Sequence, residues 1–141
     1  MWRHLAALAP LLLTGCRESS EPPAPILSLV PAAMQTAGPG ENADDHTRCL
    51  IAGASVEASV FTKRATVTIF VVAFTPTPNA TPSFVLHWDS RMVGTNTIRT
   101  VRAEASVYRV ESAGGEHILR IAVPPTSPGV LCLNQVVVTQ P

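Results

Sequence analysis

The densest group of side chains that could do chemistry is the run His87-Trp88-Asp89-Ser90. Imidazole, carboxylate and hydroxyl are the three groups of a nucleophilic triad, in which the imidazole accepts the hydroxyl proton. No Gly-x-Ser-x-Gly motif surrounds Ser90, however, and the alternation of residues 83–89 places His87 and Asp89 on the strand face opposite Trp88. We therefore expect a solvated strand face here rather than a catalytic centre.

No other pattern indicates an enzyme. The acidic residues of the second half of the chain are scattered, so no carboxylate pair suited to glycoside hydrolysis can be assigned. The sequence also lacks a phosphate-binding loop and a dinucleotide-binding fingerprint. His46 and Cys49 offer only two metal ligands, and His117 adjoins a predicted hairpin turn, where we expect it to bind backbone groups. We predict a protein without catalytic residues, cofactor or metal site.

Trp88 and Tyr108 are the side chains with which the chain could recognise a ligand, because aromatic rings stack on the faces of sugars. Trp88 also shares one face of an alternating strand with Phe84 and Leu86, which indicates a place in the core. Two interpretations follow. Trp88 belongs to the core, or Trp88 and Tyr108 form a stacking surface for a glycan.

Cys49 and Cys132 open and close the region rich in strand-forming residues. An even pair of cysteines favours a disulfide in an oxidising compartment. A bridge between them would close most of the domain, and loop entropy gives such a long closure about 4 to 5 kcal/mol. Two buried thiols are the alternative.

Length and charge bound the class of protein. The 141 residues have room for one domain, and their formal net charge is zero. No basic stripe is present, so binding driven by nucleic-acid phosphates is excluded. Charged residues make up 14% of the chain, against an average of about 25%. This low fraction, with many Thr, Val and Ser residues, favours a β protein.

Strand signals dominate after Cys49. Residues 66–74 (TVTIFVVAF) are almost all β-branched or aromatic and predict the strongest strand, while Gly114 and Gly115 supply a hairpin turn. No later run has helical period and length. The pattern predicts an all-β fold, a single antiparallel β-sandwich over residues 48–141. The other predicted strands are 49–61, 83–89, 98–102, 106–111, 117–123 and 130–139.

Residues 16–47 are rich in proline and poor in large apolar side chains. Such a segment buries too little surface to offset its ordering entropy, and its prolines favour extended polyproline II. We predict a flexible tether ahead of the sandwich. The alternative is that residues 26–30 pair as a strand at a sheet edge.

The first 15 residues have the order of a secretory signal peptide. Arg3 precedes an uncharged apolar run, 5–13, and the small residues Thr14 and Gly15 follow it. The run is too short for a transmembrane helix, which needs about 20 apolar residues. Residues 1–15 are therefore predicted to be removed.

The motif Leu13-Thr14-Gly15-Cys16 resembles the lipobox of bacterial lipoproteins. The resemblance implies that Cys16 becomes the first residue of the mature protein and carries acyl chains, so that the lipid bilayer is one partner. Several acyl chains on one residue hold a protein stably, whereas one chain gives marginal binding. Arg17 stands where an Asp would favour retention in the inner membrane, which implies the outer membrane facing the periplasm.

Two further resemblances concern the sandwich. Residues 85–123, with Trp88 and Tyr108, are similar to bacterial immunoglobulin-like accessory domains, and residues 133–138 are similar to the last strand of jelly-roll carbohydrate-binding modules. Neither transfers a binding residue. The prediction is a membrane-anchored, non-catalytic envelope lipoprotein whose sandwich binds an envelope protein; the alternative is a glycan- or peptidoglycan-binding module.

Overall fold

The computed structural model describes residues 26–63, 65–77 and 79–140. Within these residues the chain is built from strands and one turn of 3-10 helix, Pro31–Ala33, and no helix there could cross a membrane. The strands are β1 Ile26–Leu29, β2 Gln35–Ala37, β3 Gly40–Asn42, β4 Arg48–Leu50, β5 Ser55–Thr62, β6 Thr66–Phe74, β7 Ser83–Trp88, β8 Arg91–Thr97, β9 Glu104–Glu111, β10 Gly115–Ala122 and β11 Leu131–Thr139.

The strands form two antiparallel sheets, which confirms the predicted all-β sandwich. The first sheet has the order β3-β4-β11-β6-β9, and β1 pairs with the second half of β11. The second sheet has the order β2-β5-β10-β7-β8. The long strands alternate between buried and more exposed residues, as expected when one face of each sheet covers a shared core. The largest fully buried side chains are Phe84, Leu50, Ile69, Leu86, Ile98, Leu119, Ile121, Leu131 and Leu133.

The connection after β7 differs from the prediction. The chain turns back at once through Asp89 and Ser90, whose φ angles of 52° and 68° form a tight two-residue hairpin loop, and β8 follows from Arg91. Residues 98–102, predicted as a strand, form a loop. The apolar side chain that suggested a strand, Ile98, is fully buried, and its N–H donates to Pro82 O (2.8 Å) at the end of the hairpin.

The predicted tether is wrong from Ile26 onward, and the edge-strand alternative for residues 26–30 is the correct one. β1 pairs along its whole length with β11, and residues 35–37 pair with β5. Pro31 and Met34 are buried between these short strands. This segment is ordered by backbone hydrogen bonds to strands of the two sheets, although it buries few apolar side chains. The prolines of the segment lie between its strands, where no N–H is needed for a ladder hydrogen bond. Residues 16–25 lie outside the described residues.

The predicted Cys49–Cys132 disulfide is confirmed. The two cysteines face each other directly across β4 and β11, with their Cα atoms 4.0 Å apart. Because Cys49 lies on β4, the bridge fixes the β3–β4 hairpin to the interior strand β11.

Replacing both cysteines with alanine should lower the free energy of unfolding. The bridge spans a sequence separation of 83 residues, and closing a loop of this size restricts the unfolded chain by about 4 to 5 kcal/mol. Urea denaturation of the non-lipidated Cys16→Ala protein, with and without Cys49→Ala and Cys132→Ala, measures the difference. Equal unfolding midpoints would show that the bridge is not a major source of stability.

Candidate functional site

A groove runs along the outer face of the second sheet, the face turned away from the core. The register of β5, β10 and β7 sets Glu57, Arg120 and His87 side by side in one row across this face. Two depressions of about 160 and 380 Å³ adjoin here, and both are lined by His87 and Arg120. The first extends to Ser90 and the second to Pro125, at opposite ends of the sheet. We call this feature the sheet groove.

The sheet groove contains a polar atom that the protein leaves unsatisfied. His87 Nδ1 is buried and has no hydrogen-bond partner among the described residues. An unpaired buried polar atom costs about 1 to 3 kcal/mol. Within the described part of the chain, no ion pair joins the exposed Arg120 guanidinium to the Glu57 carboxylate. The row therefore presents an imidazole, a fork of N–H donors and a carboxylate acceptor.

Apolar side chains border this polar row. Ile118 is 40% exposed on one side of it, and Val85 and Ala122 lie opposite each other on the other side. Met92, which faces His87 from β8, is 62% exposed. A few polar groups set among apolar contact surface are typical of small-molecule sites.

The aromatic side chains named by the sequence are placed inside the sandwich. Trp88 is 2% exposed, and its Nε1–H donates to Ser112 Oγ (3.0 Å). Tyr108 packs against the core, edge-on to Phe84 with ring centroids 6.3 Å apart. Trp88 is therefore a core residue that cannot stack on a ligand, and Tyr108 is half-buried beside the core. Among the described aromatic residues, Phe61 is the exposed one, at 64%, on the outer face of β5.

A second polar group lies where the β7–β8 and β9–β10 turns meet. His117 Nε2 is 3.0 Å from Ser112 Oγ, and His117 Nδ1 is 2.5 Å from Asp89 Oδ2. The His117 ring stacks on Trp88, with centroids 5.0 Å apart. We call these residues the turn cluster; a cleft of about 330 Å³ adjoins it, lined also by Arg91, Glu111 and Ala113.

The turn cluster has the connectivity of a Ser-His-Asp triad but not its hydrogen-bond directions. His117 Nε2 lies 2.7 Å from Ala113 O, and because a carbonyl oxygen only accepts, Nε2 must carry a proton. A general base needs that nitrogen unprotonated to take the hydroxyl proton. Ser112 Oγ is also occupied, since it accepts from Trp88 Nε1–H. The cluster therefore holds two turns together, and the prediction that His117 binds backbone groups is confirmed.

Asp89 has a structural role in the same cluster. Its N–H donates to Ile118 O (2.9 Å), and its Oδ1 accepts from Ile118 N–H (2.8 Å). The Asp89 carboxylate thus accepts the hydrogen bond that a backbone carbonyl of β7 would accept if the strand continued alongside β10. This pairing holds Asp89 in its left-handed conformation, which is uncommon for a residue other than glycine.

Electrostatics in the turn cluster favour an ion pair. The hydrogen bond to the Asp89 carboxylate raises the pKa of His117, against the smaller opposing effect of burial. The hydrogen bond from His117, followed by that from Ile118 N–H, lowers the pKa of Asp89. Both ring nitrogens face acceptors, which agrees with a protonated imidazole.

Metal ligands and the acylation site complete the set of predicted positions. Across residues 26–63, 65–77 and 79–140, no three His, Cys, Asp or Glu side chains come together in a way that could hold a metal ion. Cys16 lies outside the described residues, so its acylation stays a prediction.

Sequence reasoning missed the sheet groove. It assigned His87 to an exposed strand face, but Glu57 and Arg120 lie about 30 residues away on either side along the chain. The alternation of each strand could have shown which side chains point outward. It could not have shown that β5, β10 and β7 are neighbours, because this order depends on long-range pairing.

The comparisons with known proteins concern the fold. The CBM36-1 domain of a multidomain xylanase from the hindgut metagenome of Trinervitermes trinervoides is similar over 83% of this chain and 98% of that domain, with a TM-score of 0.72 and 11% identity. A carbohydrate-binding module CBM36 in complex with calcium and xylotriose has a TM-score of 0.67 and 15% identity, over 79% and 97% of the two chains.

A third solved structure, CBM6cm-2 from Cellvibrio mixtus lichenase 5A in complex with cellotriose, has a TM-score of 0.63 and 16% identity over 82% of this chain and 97% of that module. No protein-family model and no curated protein sequence matches the chain. The sandwich is thus the fold of carbohydrate-binding modules, as in the jelly-roll resemblance.

Replacing His117 with glutamine should destabilise the domain in a pH-dependent way. A raised pKa means that the His117 contribution is fully present below the ordinary value of 6.5 and is lost as the pH rises through the folded-state pKa. The Asp89 contribution is present above the ordinary value of 3.8 and is lost as the pH falls through the lowered pKa. The loss of Tm should therefore be largest between about pH 4 and 6.5.

Thermal unfolding of the wild type and His117→Gln at pH 5.5 and pH 9 measures this difference. His46→Gln is the control, because His46 is exposed and outside the turn cluster. A Tm difference for His117→Gln that is the same at both pH values would contradict the ion pair.

Proposed function

We propose that the protein is a non-catalytic glycan-binding module and that the sheet groove is its binding surface. The observation that carries the proposal is the row Glu57, Arg120 and His87 on an open sheet face, in a fold shared with carbohydrate-binding modules. Two such modules have been solved in complex with xylotriose and with cellotriose. A glycan is therefore favoured over an envelope protein as the partner.

The groove has the chemistry that a sugar chain needs. Hydroxyl groups of a sugar both donate and accept hydrogen bonds, so Glu57 would accept from them and Arg120 would donate to them. The apolar faces of sugar rings would lie on Ile118, Val85 and Ala122. The depressions span the sheet from one end to the other, as binding of a chain rather than of a single sugar requires.

Replacing Arg120 with alanine should weaken glycan binding about ten- to a hundredfold, because a hydrogen bond from a charged donor is worth about 1.5 to 3 kcal/mol. Isothermal titration calorimetry with xylotriose and cellotriose, together with retention on insoluble xylan, cellulose and peptidoglycan, provides the measurement. Arg120 is exposed, so the substitution should leave the fold intact.

Arg109→Ala is the matched control, since Arg109 is an equally exposed arginine on the outer face of the other sheet. It should bind like the wild type. The proposed function is wrong if no member of the panel binds, and the groove is the wrong surface if Arg109→Ala and Arg120→Ala behave alike.

We also propose that acyl chains on Cys16 hold the module at a bacterial envelope membrane, with the outer membrane facing the periplasm as its location. The support is the lipobox-like motif before Cys16 and the Arg at position 17. Growing cells fed a palmitate analogue should label the wild type and not Cys16→Ala. Equal labelling of the two proteins, or a mature chain that begins at another residue, would contradict this assignment.

A further inference from the structure

The described part of the chain begins close in sequence to the proposed lipid anchor. Because β1 starts at Ile26, only residues 17–25 separate Cys16 from a strand of the first sheet. A chain of ten residues spans at most about 36 Å whatever its conformation. The predicted tether to residue 47 would have allowed about three times that distance. The short connection restricts which part of the sandwich can meet the membrane.

Hydrogen bonds identify the end of the sandwich at which the chain enters. Ile26 pairs with Thr139 at the last position of β11. The next residue, Gln140, accepts from Lys63 N–H through Oε1 (2.6 Å), which joins the same end of both sheets. Ile26 is 72% exposed there. We call this the entry end; the far end carries the loops 51–54, 98–103 and 124–130.

We infer that the entry end faces the lipid bilayer and that the far end points away from it. The inference rests on the proposed acylation of Cys16. Strand β9 runs between the two ends and is about 25 Å long. The connection from Cys16 to Ile26 can span at most about 36 Å, so crossing the height of the domain would use most of its length. An entry end pointing away from the bilayer would need the connecting chain to run back along the full height of the domain.

The covalent connection determines which end of the sandwich is near the bilayer, because Ile26 at the entry end is the described residue closest in sequence to Cys16.

The orientation has a consequence for the sheet groove. The groove runs along β7 and β10, from Ser90 at the entry end to Pro125 at the far end. It would stand upright on the membrane, with its Pro125 end open to glycans that approach from the aqueous side.

The sequence allows a clean test, because Lys63 is its only lysine and is exposed. The lipidated protein is placed in phosphatidylcholine vesicles, a fluorescent donor is attached to Lys63, and an acceptor is carried on lipid headgroups. The matched variant combines Lys63→Arg with Arg102→Lys, which moves the single lysine to an exposed loop at the far end. Lys63→Arg alone measures labelling at the amino terminus.

Energy transfer should be several-fold greater from Lys63 than from the lysine at the far end. Equal transfer from both positions, or greater transfer from the far end, overturns the orientation while leaving the anchor intact, provided that the protein floats with the vesicles. Failure of the lipidated protein to float, with Cys16→Ala as the reference, overturns the anchor and the orientation together. Glycan binding in solution is a separate measurement and is not affected by either result.

Discussion

The structure depends on the pairing of β11 on both of its edges. One edge holds β6 along nearly its whole length, and the other holds β4 and then β1. The last strand of the chain therefore pairs with two of the early strands, β1 and β4, and β1 lies in the segment whose composition indicates disorder. Every ladder hydrogen bond satisfies a backbone polar group without water, so β11 orders β1 and β4, while β5 orders β2, although these short strands bury little apolar surface. The disulfide fixes the same contact covalently.

The two faces of each sheet carry different kinds of side chain. The large aromatic rings of Trp88 and Tyr108 lie on the inner faces, where both pack against the core and Trp88 also contacts the turn cluster. The outer face of the second sheet carries polar side chains from three strands, and His87 Nδ1 there has no partner within the described residues. Of the two polar groups that the fold assembles, the turn cluster is saturated by its own hydrogen bonds, while the groove is not.

The sequence pattern predicted the strands whose formation depends on their own residues. The alternation of residues 83–89 and the β-branched run 66–74 gave β7 and β6 to within a residue. The even pair of cysteines gave the disulfide, although the two lie 83 residues apart in sequence. The errors are non-local. Strand β1 forms because β11, at the other end of the chain, pairs with it, and His117 meets Asp89 because two turns are adjacent in space. The one missed local signal was Asp89-Ser90, two residues that tolerate the left-handed conformation of a tight hairpin.

The central claim is that a glycan binds on the outer face of β5, β10 and β7. Two-dimensional amide NMR of the nitrogen-15-labelled Cys16→Ala protein, titrated with the oligosaccharide that calorimetry selects, tests it directly. We expect the largest shift changes at the amides of Glu57, Val85, His87, Ile118 and Arg120, with small changes in β9 and β11. Changes confined to the loops 51–54 and 124–130, or to the outer face of the first sheet, would contradict the account.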